Sequence, residues 1–186
     1  MMFERDLPGE NTMGFNNTGV SEEVPLEMCE TMNGSWGFNI VDQNYKTVRT
    51  LIHTLVRAAG YGANFLLNTG PMPNGKIQPE NVDTLMAIGS WLGTYGDAIY
   101  GTRKGPVKPQ EWGATTVKGN LVYIHVLDYR GRDIEIKGIA PDRVRSAVYF
   151  DDGSRADVKR SADGITLTIP KKKLKPMDTI IVLTMM

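Results

Sequence analysis

Between Gly62 and Gly70 the sequence reads Ala63-Asn64-Phe65-Leu66-Leu67-Asn68. So short and nearly continuous an apolar run suits a strand of a parallel sheet, covered on both faces. The segments around it are helical in pattern. Upstream, Val48, Leu51, Ile52, Leu55, Val56 and Ala59 recur at three- and four-residue spacing and define one apolar face. Asp42 is the expected N-cap of that helix, and Gly60 and Gly62 its stop. Downstream, turns at Gly70-Pro71 and Asn74-Gly75 lead to a second helix, expected from Pro79 to Leu92. Its inward stripe is Val82, Leu85, Ile88, Gly89 and Leu92, and Gly93 and Gly96 break it.

Helix, buried strand, helix is an α/β arrangement, and a single parallel strand cannot be a sheet. The expectation is therefore that further strands lie upstream of this sequence. The opening Met1-Met2-Phe3-Glu4-Arg5-Asp6-Leu7-Pro8-Gly9 agrees with it. It has neither the basic region nor the apolar stretch of a signal peptide, and reads as the interior of a loop. From Met1 to about Asn39 turn formers are frequent and no helical period holds. Such a segment either lines a site or has lost its neighbours.

After Tyr100 the period changes to two. Gly105-Pro106 and Lys108-Pro109 mark a boundary. Strands are expected at Asn120–Leu127, Asp133–Lys137, Val144–Phe150, Ala156–Lys159, Gly164–Ile169 and Thr179–Leu183, with turns at Asp152-Gly153 and Asp163-Gly164. Regularly spaced short strands indicate a small antiparallel sandwich. The fold class read from the residues is α/β followed by all-β, with residues 1–104 in the first part and 105–186 in the second.

Charge and chemistry narrow the functions. Lys plus Arg equals Asp plus Glu, 21 each, so no basic excess points to nucleic acid. Lys171-Lys172-Lys173 reads as a solvated turn. Cys29 is the only cysteine and His53 and His125 the only histidines, a poor inventory for a metal or thiol enzyme. No apolar run is long enough to span a membrane. Asn16-Asn17-Thr18 and Asn33-Gly34-Ser35 meet the N-glycosylation pattern, which is frequent by chance.

Four stretches resemble blocks of the α-L-fucosidase family, glycoside hydrolase family 29. They are Leu26-Glu27-Met28-Cys29 through Ser35-Trp36-Gly37-Phe38; Gly62-Ala63-Asn64-Phe65-Leu66-Leu67-Asn68-Thr69-Gly70-Pro71; Asn74-Gly75-Lys76-Ile77; and Ile88-Gly89 through Gly96-Asp97-Ala98-Ile99-Tyr100-Gly101-Thr102. Their order and spacing match the family over residues 1 to about 102. Leu26 departs from it, since the family form is Trp-Glu-x-Cys.

The resemblance implies that residues 1–104 are the C-terminal portion of a (β/α)8-like catalytic barrel and that 105–186 are the β-sandwich commonly following it. It implies a retaining α-L-fucosidase acting on fucosylated glycans, with no cofactor, since two carboxyl groups perform the hydrolysis. By the family pattern Glu27 is the general acid/base. From the residues alone, Glu22, Glu23, Glu27 and Glu30 read as a charged loop. Trp36 is the candidate substrate contact, able to pack against the apolar face of a sugar, although packing in a loop or core is its ordinary role. Asn64, Asn68 and Gly70 are expected to organise the strand rim.

The family's nucleophilic aspartate precedes the Glu27 block by several tens of residues, and only 26 residues precede Glu27 here. Asp6, in a Glu-Arg…Pro-Gly context, resembles the loop that follows the nucleophile. The expectation is that this chain alone has little or no activity and that an upstream half is a partner. The rival reading is an inactive remnant, or a noncatalytic carbohydrate-binding or structural sandwich. Tyr123, Tyr129 and Tyr149 are available for binding, but alternation places Tyr123 and Tyr149 in the core.

Overall fold

The computed structural model of the protein describes residues 2–4, as backbone, and 25–186. The chain forms two compact units, Met1–Ala58 with Gly62–Gly96, and Ala59–Tyr61 with Asp97–Met186. The sequence motifs at Asp6, Asn16, Glu22 and Glu23 lie outside the described residues.

The first unit is α/β. Strands β1 (Met2–Glu4), β2 (Leu26–Thr31) and β3 (Ala63–Asn68) form a parallel sheet in that order. The apolar run at 63–68 is thus a strand as expected, and its neighbour is β2, in a stretch whose sequence shows no strand pattern. Glu27 and Glu30 interrupt the apolar positions of β2, which conceals it. Helix α1 (Val48–Tyr61) connects β2 to β3, the crossover that parallel strands require. Thr47, not Asp42, caps it: Thr47 Oγ1 accepts the N–H of Thr50 at 3.1 Å. Gly60 stays within the helix, and Gly62, at φ 77°, ends it. Leu51, Ile52, Val56 and Ala58 are buried along α1.

Helix α2 (Pro79–Tyr95) starts at the expected proline and continues through Gly93 to a cap at Gly96. Its buried residues are Asn81, Ile88 and Trp91. The expected stripe is only partly realised, because Val82 and Leu85 are 43% and 39% exposed.

The second unit is antiparallel β. One sheet has the order β4 (Arg103–Lys104), β5 (Gly113–Lys118), β6 (Leu121–Val126), β11 (Thr179–Met185), β8 (Val144–Tyr149). The other has the order β7 (Ile134–Lys137), β10 (Gly164–Thr168), β9 (Asp157–Arg160). Alternate residues from both sheets meet in one core that includes Val122, Ile124, Val126, Ile136, Ile165, Leu167, Ile181 and Leu183. This is sheet-on-sheet packing, the sandwich that the period of two implies. Tyr149 is buried in this core as expected; Tyr123 is also buried, but on the opposite face of β6 from Val122 and Ile124, and Tyr129 packs partly buried against the core.

The opposite face of the five-stranded sheet also buries polar groups. His125 and Asp178 are fully enclosed, with Nδ1 2.6 Å from Oδ2. Thr116 Oγ1 donates to Ala98 O at 2.7 Å and lies 3.2 Å from His125 Nε2. Both ring nitrogens of His125 thus have a hydrogen-bond partner.

Candidate active site

The register of β2 on β3 sorts the side chains by face. Glu27 pairs with Asn64, Cys29 with Leu66 and Thr31 with Asn68; on the other face Leu26 pairs with Ala63, Met28 with Phe65 and Glu30 with Leu67. Leu26, Met28 and Ala63 are buried, the side suited to the apolar stripes of helices. The Glu27 face is more open at β3, where Asn64 and Leu66 are exposed. Glu27 itself is half-buried.

Beyond the carboxyl ends of both strands lies the loop that carries Trp36. In α/β sheets this end is where ligands bind, because the connections there are free to vary while the strands hold them in place. Asn68 Nδ2 donates to Trp36 O at 2.6 Å. Gly70 fits against the next two residues so closely that a Cβ there would lie 2.4 Å from both Gly37 C and Phe38 N. The last side chain of β3 and the glycine two residues on therefore seat the half-buried Trp36. Asn68 and Gly70 act on the loop, as the sequence suggests, and Asn64 faces solvent.

The loop is braced internally. Asn33 Oδ1 accepts Ser35 N at 3.1 Å and its Nδ2 donates to Asp42 O at 3.2 Å. Ser35 Oγ donates to Asp42 Oδ2 at 2.7 Å. Asn33 is only 7% exposed, so the Asn33-Gly34-Ser35 pattern is closed to glycosylation in the folded chain. The Ser35 hydroxyl, with the backbone N–H groups of Asn44 and Gly34 and the Lys46 charge, holds the Asp42 carboxyl below the usual aspartate value against an opposing effect of desolvation.

Lys46 is the residue that sequence reasoning missed. Its Nζ reaches Glu30 Oε1 at 3.1 Å, Thr31 O at 2.8 Å and Asn33 O at 2.9 Å. It ties the end of β2 to the start of the loop from 13 to 16 residues away, a spacing with no local signature. The Glu30 carboxylate is engaged by Lys46 and by Thr31 N at 2.8 Å. Glu27 lies on the opposite face of the same strand, four residues before Thr31, or roughly 13 Å back along it. The structure thus places Trp36 at the strand ends and Glu27 deeper on the sheet. Among the described residues no group of three His, Cys, Asp or Glu side chains could hold a metal ion, and no helix is long and apolar enough to cross a membrane.

The α-L-fucosidase family model matches residues 2–97, just over half the chain. The chain belongs to the α-L-fucosidase family. The α-L-fucosidase of Dictyostelium discoideum is 29% identical over 156 residues, covering 77% of this chain and 34% of its own length. The human tissue α-L-fucosidase is 29% identical over 155 residues, with 78% and 33% covered. Among solved structures, α-L-fucosidase isoenzyme 1 from Paenibacillus thiaminolyticus aligns over the whole chain and 44% of its own, at TM-score 0.82 and 31% identity. A Thermotoga maritima α-fucosidase solved with fucose aligns over 87% of this chain and 40% of its own, at TM-score 0.72 and 25% identity. The chain therefore spans about a third of the length of these curated fucosidases, and it matches their C-terminal part.

Proposed function

We propose that this chain supplies part of the active site of a retaining α-L-fucosidase, with residues 1–104 as the C-terminal portion of its barrel and 105–186 as the accompanying sandwich. The observation that carries the reading is Trp36, seated at the carboxyl ends of parallel strands by Asn68 and Gly70 in a chain of this family. There its ring packs against the apolar face of the fucosyl residue, including the methyl group. Glu27 is the general acid/base. It protonates the glycosidic oxygen as a carboxylate nucleophile attacks the anomeric carbon, then takes a proton from the water that releases the sugar. The two carboxyl groups of a retaining site stand ~5–5.5 Å apart. The family pattern sets the nucleophile several tens of residues before Glu27, so turnover requires an upstream half in addition to these 186 residues.

A second reading has one observation in its favour. Glu27 sits four positions before the end of β2, whereas catalytic residues of such barrels come from strand ends. On this reading Glu27 is a structural carboxylate and the acid/base lies elsewhere.

The test is hydrolysis of an aryl α-L-fucoside by the chain alone and by the chain complemented with the upstream part of a fucosidase relative. The expected result is activity only in the complemented form. Fucose release by the isolated chain would overturn the proposed division. In the active form, Glu27→Gln should lose about 10²–10⁴-fold in rate on a substrate with a poor leaving group. On an activated aryl fucoside, whose leaving group needs no acid, azide should restore turnover as fucosyl azide if Glu27 is the acid/base. Retained activity in Glu27→Gln selects the second reading.

A further inference from the structure

We propose that the sandwich carries a second glycan site, a cleft between β8 and β9 that binds an anionic saccharide. The cleft is an open one of about 650 Å³, lined by Arg145, Arg155 and Arg160 together with Ser146, Ala147 and Val148. It opens at the side of the sandwich where both sheets end, since β8 is the edge of one and β9 the edge of the other.

The cleft is lined by three arginines. Four other cations of the unit face carboxylates: Lys118 meets Asp97, Arg130 meets Asp128 and Glu111, Lys173 meets Asp152, and Lys175 meets Asp151. No carboxylate lines the cleft. Among the described residues, none lies within 4.0 Å of the Arg145, Arg155 or Arg160 guanidinium. Asp157, on β9 between two of these arginines, is not part of the lining. A guanidinium keeps its proton near neutral pH, so three arginines in the lining give the cleft a positive potential that favours an anion.

The site is partly ordered in advance. Arg160 Nη2 donates to Val144 O at 3.0 Å, from one edge strand to the other, and Ala156 N donates to Ala147 O at 3.0 Å. Arg145 and Arg155 stay exposed, with forked donors matched to a sulfate ester or a carboxylate. Half-buried Ala147 and Val148 offer an apolar surface for the C–H face of a sugar ring. The choice of a saccharide as the carrier rests on the glycosidase reading; the concentration of charge does not. Binding can be measured without turnover, so failure here is distinct from failure of that reading.

The experiment is calorimetric titration of the full chain with a heparin-derived tetrasaccharide, tetragalacturonate, maltotetraose and a tetraglutamate peptide. Binding of a charged saccharide and not of maltotetraose is expected, and the stronger of the two charged ligands identifies sulfate or carboxylate. Arg145→Gln and Arg155→Gln should each weaken it about tenfold, the scale of one charge-assisted contact. Both residues are exposed, so both variants should keep the far-ultraviolet circular dichroism of the parent. A Lys171→Gln/Lys172→Gln variant, altered in the basic turn, should bind like the parent. The proposal is overturned if neither charged saccharide binds, if tetraglutamate binds as well, or if the lysine variant loses as much affinity as the arginine variants.

Discussion

In the sandwich, Ile124, Ile136, Ile165, Leu167, Ile181 and Leu183 are at most 1% exposed, while in the α/β unit Leu66, Leu85, Val82 and Met86 stand between 39% and 70% exposed. Of the eight large hydrophobic side chains exposed among the described residues, six belong to the α/β unit, Ile40 and Val41 being the others. Each large apolar side chain left in water forgoes about 1.5–3 kcal/mol of burial. The sandwich satisfies its apolar surface from its own two sheets. The α/β unit spends much of its order on side-chain hydrogen bonds to the loop around Trp36 and leaves apolar surface open.

The sharpest way to break that comparison is the buried pair. Asp178→Ala strands His125 Nδ1 in a fully enclosed position and should cost about 3–5 kcal/mol in urea unfolding of the second unit. Replacing both residues by leucine should recover much of the loss, because removing a buried pair together is far cheaper than removing one member. A loss below about 1 kcal/mol for Asp178→Ala would mean that water reaches the pair. Ile124→Ala, in the centre of the core, should cost about 2–5 kcal/mol, whereas Met86→Ala on the exposed part of α2 should stay within about 0.5 kcal/mol. Equal costs for these two would erase the distinction between the units.

Gly70→Ala sharpens the other side. The new methyl would meet Gly37 and Phe38 backbone atoms 2.4 Å away, and backbone cannot yield as a flexible side chain can. A cost of about 1–3 kcal/mol is expected, with changed emission from Trp36 in a background where Trp91 and Trp112 are phenylalanine. Unchanged emission would mean that Gly70 does not position the tryptophan. Thr47→Ala should cost about 1 kcal/mol through loss of the α1 cap.

The two units also differ in how plainly the sequence announces them. Strands β6 to β11 follow from alternation, because Val122, Ile124 and Val126 face one shared core and each turn carries its own glycine or aspartate. The buried Thr115 and Thr116 conceal β5, since a threonine that bonds inside the fold looks in sequence like one that bonds water. In the α/β unit the long-range bonds decide. Nothing local marks Lys46 as the brace of Thr31 and Asn33, or Thr47 over Asp42 as the cap. Trp36 was legible from the blocks it stands in; that Asn68 and Gly70 seat it needed the register of β3 and the path of the loop.

The smallest expected effect concerns Asp42, whose place the sequence misjudged. It braces the Trp36 loop, and the Ser35 hydroxyl is the largest cause of its lowered pKa. A carboxyl whose folded pKa lies below its unfolded value favours the fold in its charged form. Its contribution is complete above the unfolded value and is lost as pH falls from there through the folded one. The side-chain carbon shift of Asp42, followed by NMR against pH, should therefore show a midpoint below the usual aspartate value. Ser35→Ala should move that midpoint upward, and the Trp36 emission should change over the same acidic range as the brace is protonated. An ordinary midpoint that ignores Ser35→Ala would leave Asn33 and Asn68 as the side chains that order the loop, and would make the site less sensitive to acid than its hydrogen bonds imply.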